Sequence, residues 1–192
     1  MKMRLHKFGR KQLTFLIFSV ISIPSDVSMI HGQMPGKNTL TSAKIASAVS
    51  AGPESITRGA TIAEIDAQGE MHMLRQGTNG WVCMPGDPNS IANPPMCEDK
   101  ASQEWDYAFR HHLPKPTNIV PGITYMLAEA EQRSDTDPYD KTSSPIKIGP
   151  HWMIMWPFEP ATTGLPTHHT PSGAYIMWAG TPYAHVHVMG EP

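Results

Sequence analysis

Apolar and polar residues along this chain fall into short patterned stretches, and the first of these is the most distinctive. Five basic residues, Lys2, Arg4, Lys7, Arg10 and Lys11, precede an apolar run from Leu13 to Ile23 that only Thr14, Ser19 and Ser22 interrupt. A charged leader before a run of about eleven apolar residues has the form of a secretory signal peptide, and it falls short of the roughly 20 residues a helix needs to span a bilayer. Residues 1–32 are therefore expected to be a signal peptide, with Ser25, Ser28 and Gly32 offering alternative cleavage positions. The mature protein is expected in the periplasm or outside the cell, with no permanent membrane anchor. From 33 to 52 small and polar residues dominate without a wide apolar face, which predicts a flexible N-terminal lead-in. Residues 53–192 are expected to form a single globular domain.

Within that domain the pattern predicts strands in quick succession. Ala60 to Asp66 and Glu70 to Arg75 read as a hairpin about Ala67-Gln68-Gly69, and Gly77-Thr78-Asn79-Gly80 is a second turn that returns Trp81-Val82-Cys83 as a meandering third strand. Between Asp99 and Leu113, Ala101, Trp105, Ala108, Phe109 and His112 recur at helical spacing, with Asp99 as the cap and Pro114 and Pro116 as the stop. Further strands are expected at Ile123 to Ala128, Pro150 to Trp156, Ala174 to Trp178 and Tyr183 to Met189. The fold class that results is α+β: mostly short antiparallel strands, as a sandwich or partly open barrel, with one amphipathic helix across the sheet and one disulfide-closed loop.

Composition sharpens this picture. The 19 prolines and 15 glycines favour short elements joined by turns. From residue 33 onward ten Lys and Arg face sixteen Asp and Glu, a net charge of −6. The basic residues are scattered singly, so nucleic acid is not an expected partner. Cys83 and Cys97 are the only cysteines. In an oxidising compartment they are expected to pair, closing a loop of about 15 residues and contributing about 3 kcal/mol. They lack the C-x-x-C spacing of a redox dithiol.

The candidate chemistry lies near the C-terminus. Side chains in a strand alternate between faces, so His151, Met153 and Met155 share one face of their strand, and Tyr183, His185, His187 and Met189 share one face of the last. If those strands were neighbours with these faces aligned, imidazoles and thioethers would converge, a set suited to copper and, through histidine, to zinc. The candidate metal ligands are His151, His185, His187, Met153 and Met189. The alternative is a secreted structural or protein-interaction module without metal, presenting aromatics such as Trp152, Trp156 or Trp178, its methionines filling the core. A protein or small-molecule partner is not specified by any motif. His72 could join this set but lies on the opposite face of its strand from Met71 and Met73; His168-His169 reads as an exposed loop and His111-His112 as the helix terminus. Phosphate-loop, nucleophile-elbow and H-E-x-x-H signatures are missing, so an enzyme is not the favoured reading and no catalytic residue is assigned. A small hydrolase with a histidine base is a weaker option. No carboxylate stands in an apolar setting, although Glu104 and Glu159 would be tuned acids if buried.

Gly77-Thr78-Asn79-Gly80-Trp81-Val82-Cys83-Met84-Pro85, Pro95-Met96-Cys97, Thr136-Asp137-Pro138, Gly149-Pro150-His151 and Gly180-Thr181-Pro182-Tyr183-Ala184-His185 form a pattern that resembles a group of uncharacterised secreted bacterial proteins. The resemblance covers roughly residues 53 to 189 and brings no activity with it. Such proteins commonly close with an Ala-His-Leu-Met type of ending, so His187 stands where a methionine is usual. The resemblance thus implies His151 and His185 as the principal ligands.

Overall fold

A computed structural model describes residues 37–91 and 93–192; the expected signal peptide at 1–32 lies outside them. The elements run α1 (Lys37–Val49), α2 (Glu54–Thr57), β1 (Thr61–Ile65), β2 (Met71–Arg75), β3 (Val82–Met84), β4 (Met96–Glu98) and α3 (Lys100–Arg110). The second half contributes β5 (Gly122–Met126), β6 (Ala130–Gln132), β7 (Ile146–Ile148), β8 (His151–Met155), α4 (Pro160–Thr163), β9 (Ala174–Met177) and β10 (His185–Met189). Eight strands form one mixed sheet in the order β2-β1-β3-β4-β5-β8-β10-β9, and β6 pairs only with β7. The large sheet is open, with β2 and β9 as its edges, and so does not close into a barrel. No helix among the described residues is long and apolar enough to cross a membrane.

The β1–β2 hairpin forms where the alternation places it, with Ile65 opposite Met71. The third strand does not meander. Instead β3 lies on the far side of β1 and runs parallel to it, Thr61 opposite Val82. Gly77 makes this possible, because the chain crosses the end of β1 in direct contact with its backbone. A Cβ at Gly77 would stand 2.1 Å from Thr61 N and 2.3 Å from Ala60 C. The following Thr78 N–H donates to Gly59 O at 2.7 Å. The Gly-Thr-Asn-Gly segment is thus a crossover rather than a hairpin turn, and only glycine leaves room for it.

Cys83 and Cys97 stand directly opposite each other on β3 and β4 and are joined by a disulfide, their Cα atoms 4.0 Å apart. Both are fully buried against Ala48, Ala51, Ala60 and Ile62. Ala48 belongs to α1, so residues 37–49 of the expected lead-in are a helix docked on the disulfide. The helix docks through Ala48, with Ile45 and Val49 packed beside it, while Ala43 and Ala46 face solvent. Three residues make too narrow a stripe for the sequence to show a docking face. Ser47 adds a hydrogen bond from its Oγ to Pro85 O at 2.6 Å.

Helix α3 forms as its spacing predicts. Asp99 accepts from Ser102 N at 2.8 Å through one carboxylate oxygen and from Ile123 N at 3.0 Å through the other, so the cap also fastens the helix to β5. At the other end His112 takes a left-handed φ of 52° and Leu113 N returns to Ala108 O at 2.9 Å, closing a Schellman turn before Pro114. The helix start lies tight on the sheet, since a Cβ at Gly122 would stand 2.4 Å from Ser102 N. α3 covers one face of the sheet with Trp105, Ala108 and Phe109 against Met153, Met155 and Tyr183. The opposite face buries Ile154, Ile176 and Val186 under Phe158 and Leu165.

Two substitutions test this account. Gly77→Ala should cost about 3 kcal/mol in urea unfolding, at the upper end for overpacking, because backbone rather than a side chain must give way. Asp99→Ala should cost about 2 kcal/mol, the loss of a cap together with an N–H left without its acceptor. An unchanged urea midpoint for either would show that the crossing or the cap is not the constraint described.

Candidate functional site

The strands that carry the candidate ligands are neighbours. β10 lies between β8 and β9, antiparallel to both, with His187 opposite Met153 and Tyr175, and Met189 opposite His151. β5 continues the sheet on the other side of β8, with Thr124 opposite Met153 and Met126 opposite His151. Glu98 of β4 faces Thr124. Directly paired residues share a face, so Glu98, Thr124, Met153, His187 and Tyr175 form one buried row across five strands. His151, His185 and Met155 project from the same face in the flanking rows. A cavity of about 140 Å³ runs along this face, lined by His151, His185, His187, Met153, Met155 and Met177 among others.

All three imidazoles are buried, with exposures of 1% for His151, 2% for His185 and 3% for His187. Nδ1 of His151 bonds to Gly149 O and Nδ1 of His185 to Tyr183 O, each at 2.9 Å. A carbonyl can only accept, so both Nδ1 atoms carry the hydrogen and both Nε2 atoms present a bare lone pair while the rings are neutral. Burial favours that neutral form. It pushes His185 down to about 4, holds His187 well below the ordinary range and lowers His151, whose bond to Gly149 O acts in the opposite sense.

Nε2 of His185 stands 3.0 Å from Nε2 of His187. The His151 and His187 rings stack at 4.8 Å, and Nε2 of His151 is buried with no hydrogen-bond partner. His187, the ring given the lesser role by the resemblance, is the one in contact with both others. Nδ1 of His187 faces the Tyr175 hydroxyl at 3.1 Å, and that hydroxyl also lies 3.4 Å from Gln132 Oε1. The Gln132 amide is oriented by a hydrogen bond to Asp135, whose second oxygen accepts from His169 N at 2.9 Å.

This chain of contacts has two proton arrangements. If the tyrosine proton goes to His187, Nε2 of His187 carries hydrogen and donates to His185, and every contact is satisfied. If it goes to Gln132, Nδ1 of His187 must donate to the tyrosine, and two bare Nε2 lone pairs then meet at 3.0 Å. In that second arrangement a cation between the two nitrogens would relieve the contact. Two nitrogens on tetrahedral arms of about 2.0–2.1 Å would stand about 3.3 Å apart, so little movement would seat one. No set of three or more His, Cys, Asp or Glu among the described residues already surrounds a single metal position. The convergent unit is the His185–His187 pair, with the Met153 side chain opposite His187 and the His151 ring beside it.

Met189 is half-buried and is not among the cavity's lining residues. His72 is remote in use, its Nε2 paired with Asp66 at 2.6 Å on the surface of β2. Several contributors escape a linear reading of the sequence. Tyr175 and Met177 follow from the period of two in β9 once its pairing with β10 is known. His169, expected in an exposed loop, is half-buried with its ring edge-on to Tyr175 at 5.8 Å.

The buried acid is Glu98 rather than Glu104 or Glu159, which are half-buried and exposed. Burial, with Asp106 nearby, raises Glu98 well above the usual carboxylate range despite Arg110. Asp106 pairs with Arg110 at 2.6 Å and is itself raised by burial. Glu98 lies at the far end of the buried row from His187 and Tyr175. The hydroxyl of Thr124, next to it in the row, is buried without a partner.

No family model, characterised protein or solved structure matches the chain. What the cavity does must be read from its own chemistry.

The depressed His185 gives a signed expectation. An unfolded chain takes up this proton near the ordinary 6.5 and the folded one only near 4, so the contribution is complete above 6.5 and is lost as pH falls toward 4. With chelator present, wild-type stability should fall between pH 7.5 and pH 5 by about 2 kcal/mol more than that of His185→Gln. Glu98 and Asp106 act in the opposite sense but equally in both proteins. Parallel pH profiles from urea melts would contradict the neutral assignment of this ring.

Proposed function

We propose that the protein is an exported binding protein for a soft transition-metal ion, copper ahead of zinc, held between Nε2 of His185 and Nε2 of His187. The thioether of Met153 and the ring of His151 complete the set. The observation that carries this reading is the 3.0 Å approach of two buried Nε2 atoms, one of them bare because its Nδ1 is bound to Tyr183 O. Metal-binding histidines commonly fix their remote nitrogen on a carbonyl or a polar side chain in this way. Thioethers along the same cavity, Met153 among them, favour copper(I), which accepts few and soft ligands. Zinc prefers four ligands on tetrahedral arms, and the pair offers it only two close nitrogens. Export is supported by the basic leader and apolar run of residues 1–32, and a buried disulfide is compatible with it.

Titration of the full chain with copper(I) under ascorbate and a competing chelator, and separately with zinc(II), tests the proposal. About one copper ion per chain is expected, with affinity weakened at least 100-fold in His185→Ala/His187→Ala. Tyr175→Phe should weaken binding about 10-fold, the lower end for an outer-shell partner. Failure of the wild type to bind either metal below micromolar concentration would leave a metal-free structural module with a buried polar network. Unchanged binding in the double variant would place the ion elsewhere and overturn the His185–His187 seat.

A further inference from the structure

Beside the row that carries His187 lies a second one, made of sulfur. Met84 faces Met96 across β3 and β4. Continuing the Cys97–Tyr125 register by one residue brings Met96 opposite Met126, and Met126 is paired with His151 across β5 and β8. Three thioethers on successive strands thus end at an imidazole of the proposed seat. Met84 and Met96 line a groove of about 1450 Å³ together with residues 85–90 and 93–95. Met96 and Met126 line the cavity that holds the histidines, and Met96, Asp106 and Ile148 belong to both walls. The sulfur row therefore runs from the wall of the groove, through the half-buried Met96 and Met126, to the wall of the cavity that holds the rings.

We infer that Met84, Met96 and Met126 are a transfer path by which copper(I) passes from the groove to the histidine seat. This rests on the metal-binding reading and adds the ion and its route. Neighbouring strands stand about 4.8 Å apart. Two sulfurs sharing an ion at about 2.3 Å each reach about 4.6 Å, so an ion can be handed from one thioether to the next without being released to water. Thioethers carry no charge and hold copper(I) weakly enough to pass it on, whereas zinc(II) has little affinity for them. No change of oxidation state is involved, since the ion arrives and is held as copper(I). The disulfide sets the geometry: the Cys83–Cys97 pair fixes the β3–β4 register that places Met84 opposite Met96. Its sulfurs face the other side of the sheet and take no part.

The test uses the full chain with silver(I), a redox-inert analogue of copper(I), and with copper(I) itself, each delivered from a weak competing ligand. Loading is followed by quenching of tryptophan fluorescence, since Trp178 and Trp105 lie 4.9 and 5.1 Å from the His185 ring. Met84→Leu/Met96→Leu/Met126→Leu keeps volume and apolar character while removing sulfur. Loading by silver(I) and copper(I) should slow at least tenfold in this variant, with equilibrium affinity within threefold of wild type and zinc(II) loading unchanged. An unchanged silver(I) rate overturns the path and leaves the histidine seat standing. A fall in affinity as large as the fall in rate overturns it too, by making the thioethers part of the seat. Absence of silver(I) and copper(I) binding in the wild type removes the seat and the path together. Should the triple variant not fold, Met96→Leu is subject to the same criteria with a threefold slowing.

Discussion

Strand register is the constraint on which the rest of this structure depends. Because side chains alternate with a period of two, one residue of slip in β10 would carry His185 and His187 from the covered cavity to the opposite face and bring Val186 and Val188 in their place. The register is held from both sides. Val186 is buried between Ile154 and Ile176 on one face, and Tyr175, Met153 and His187 lock together on the other. Apolar packing on the back of the sheet therefore positions polar atoms on its front. The imidazoles add little cohesion of their own, since burying them neutral is costly and one Nε2 has no partner.

The two faces of β3 and β4 divide the work in a similar way. Disulfide and alanine-rich helix occupy one side; Glu98, Met84 and Met96 occupy the other. A covalent bond at Cys83–Cys97 stands where two strands of three residues each bury too little surface to define their own alignment. The charge pattern follows from burial. Where the cavity is deepest, burial shifts the three histidines down and Glu98 up, so each is biased toward its uncharged form.

Much of the site was legible in the chain and much of the topology was not. Alternation in β8 and β10 placed His151 with Met153, and His185 with His187, on common faces of their strands. The adjacency of β8 and β10 was not legible, because β10 enters between strands that precede it and no local signal marks such an insertion. Glu98 escaped notice in a strand of three residues, too short to display a period. His169 escaped because its position is set by an Asp135 contact 34 residues away. Helix α1 was hidden because its docking face is no wider than Ile45, Ala48 and Val49. The parallel β1–β3 pair was hidden because Gly77 and Gly80 carry the composition of a hairpin turn, while the space that Gly77 leaves serves a crossing of two backbones. Local chemistry specifies conformation; which neighbour that conformation serves is decided by distant residues.

The central position of β10 bears on the order of assembly. The last strand in the chain is not at an edge; it fills the gap between β8 and β9, so those two present unpaired edges until residues 185–189 arrive. Synthesis from the N-terminus leaves the histidine cluster unformed until β10 has been made, since two of its three rings are carried on that strand. Residues 185–189 act as a keystone, and deleting them would remove two of the three rings and open the middle of the sheet in one event.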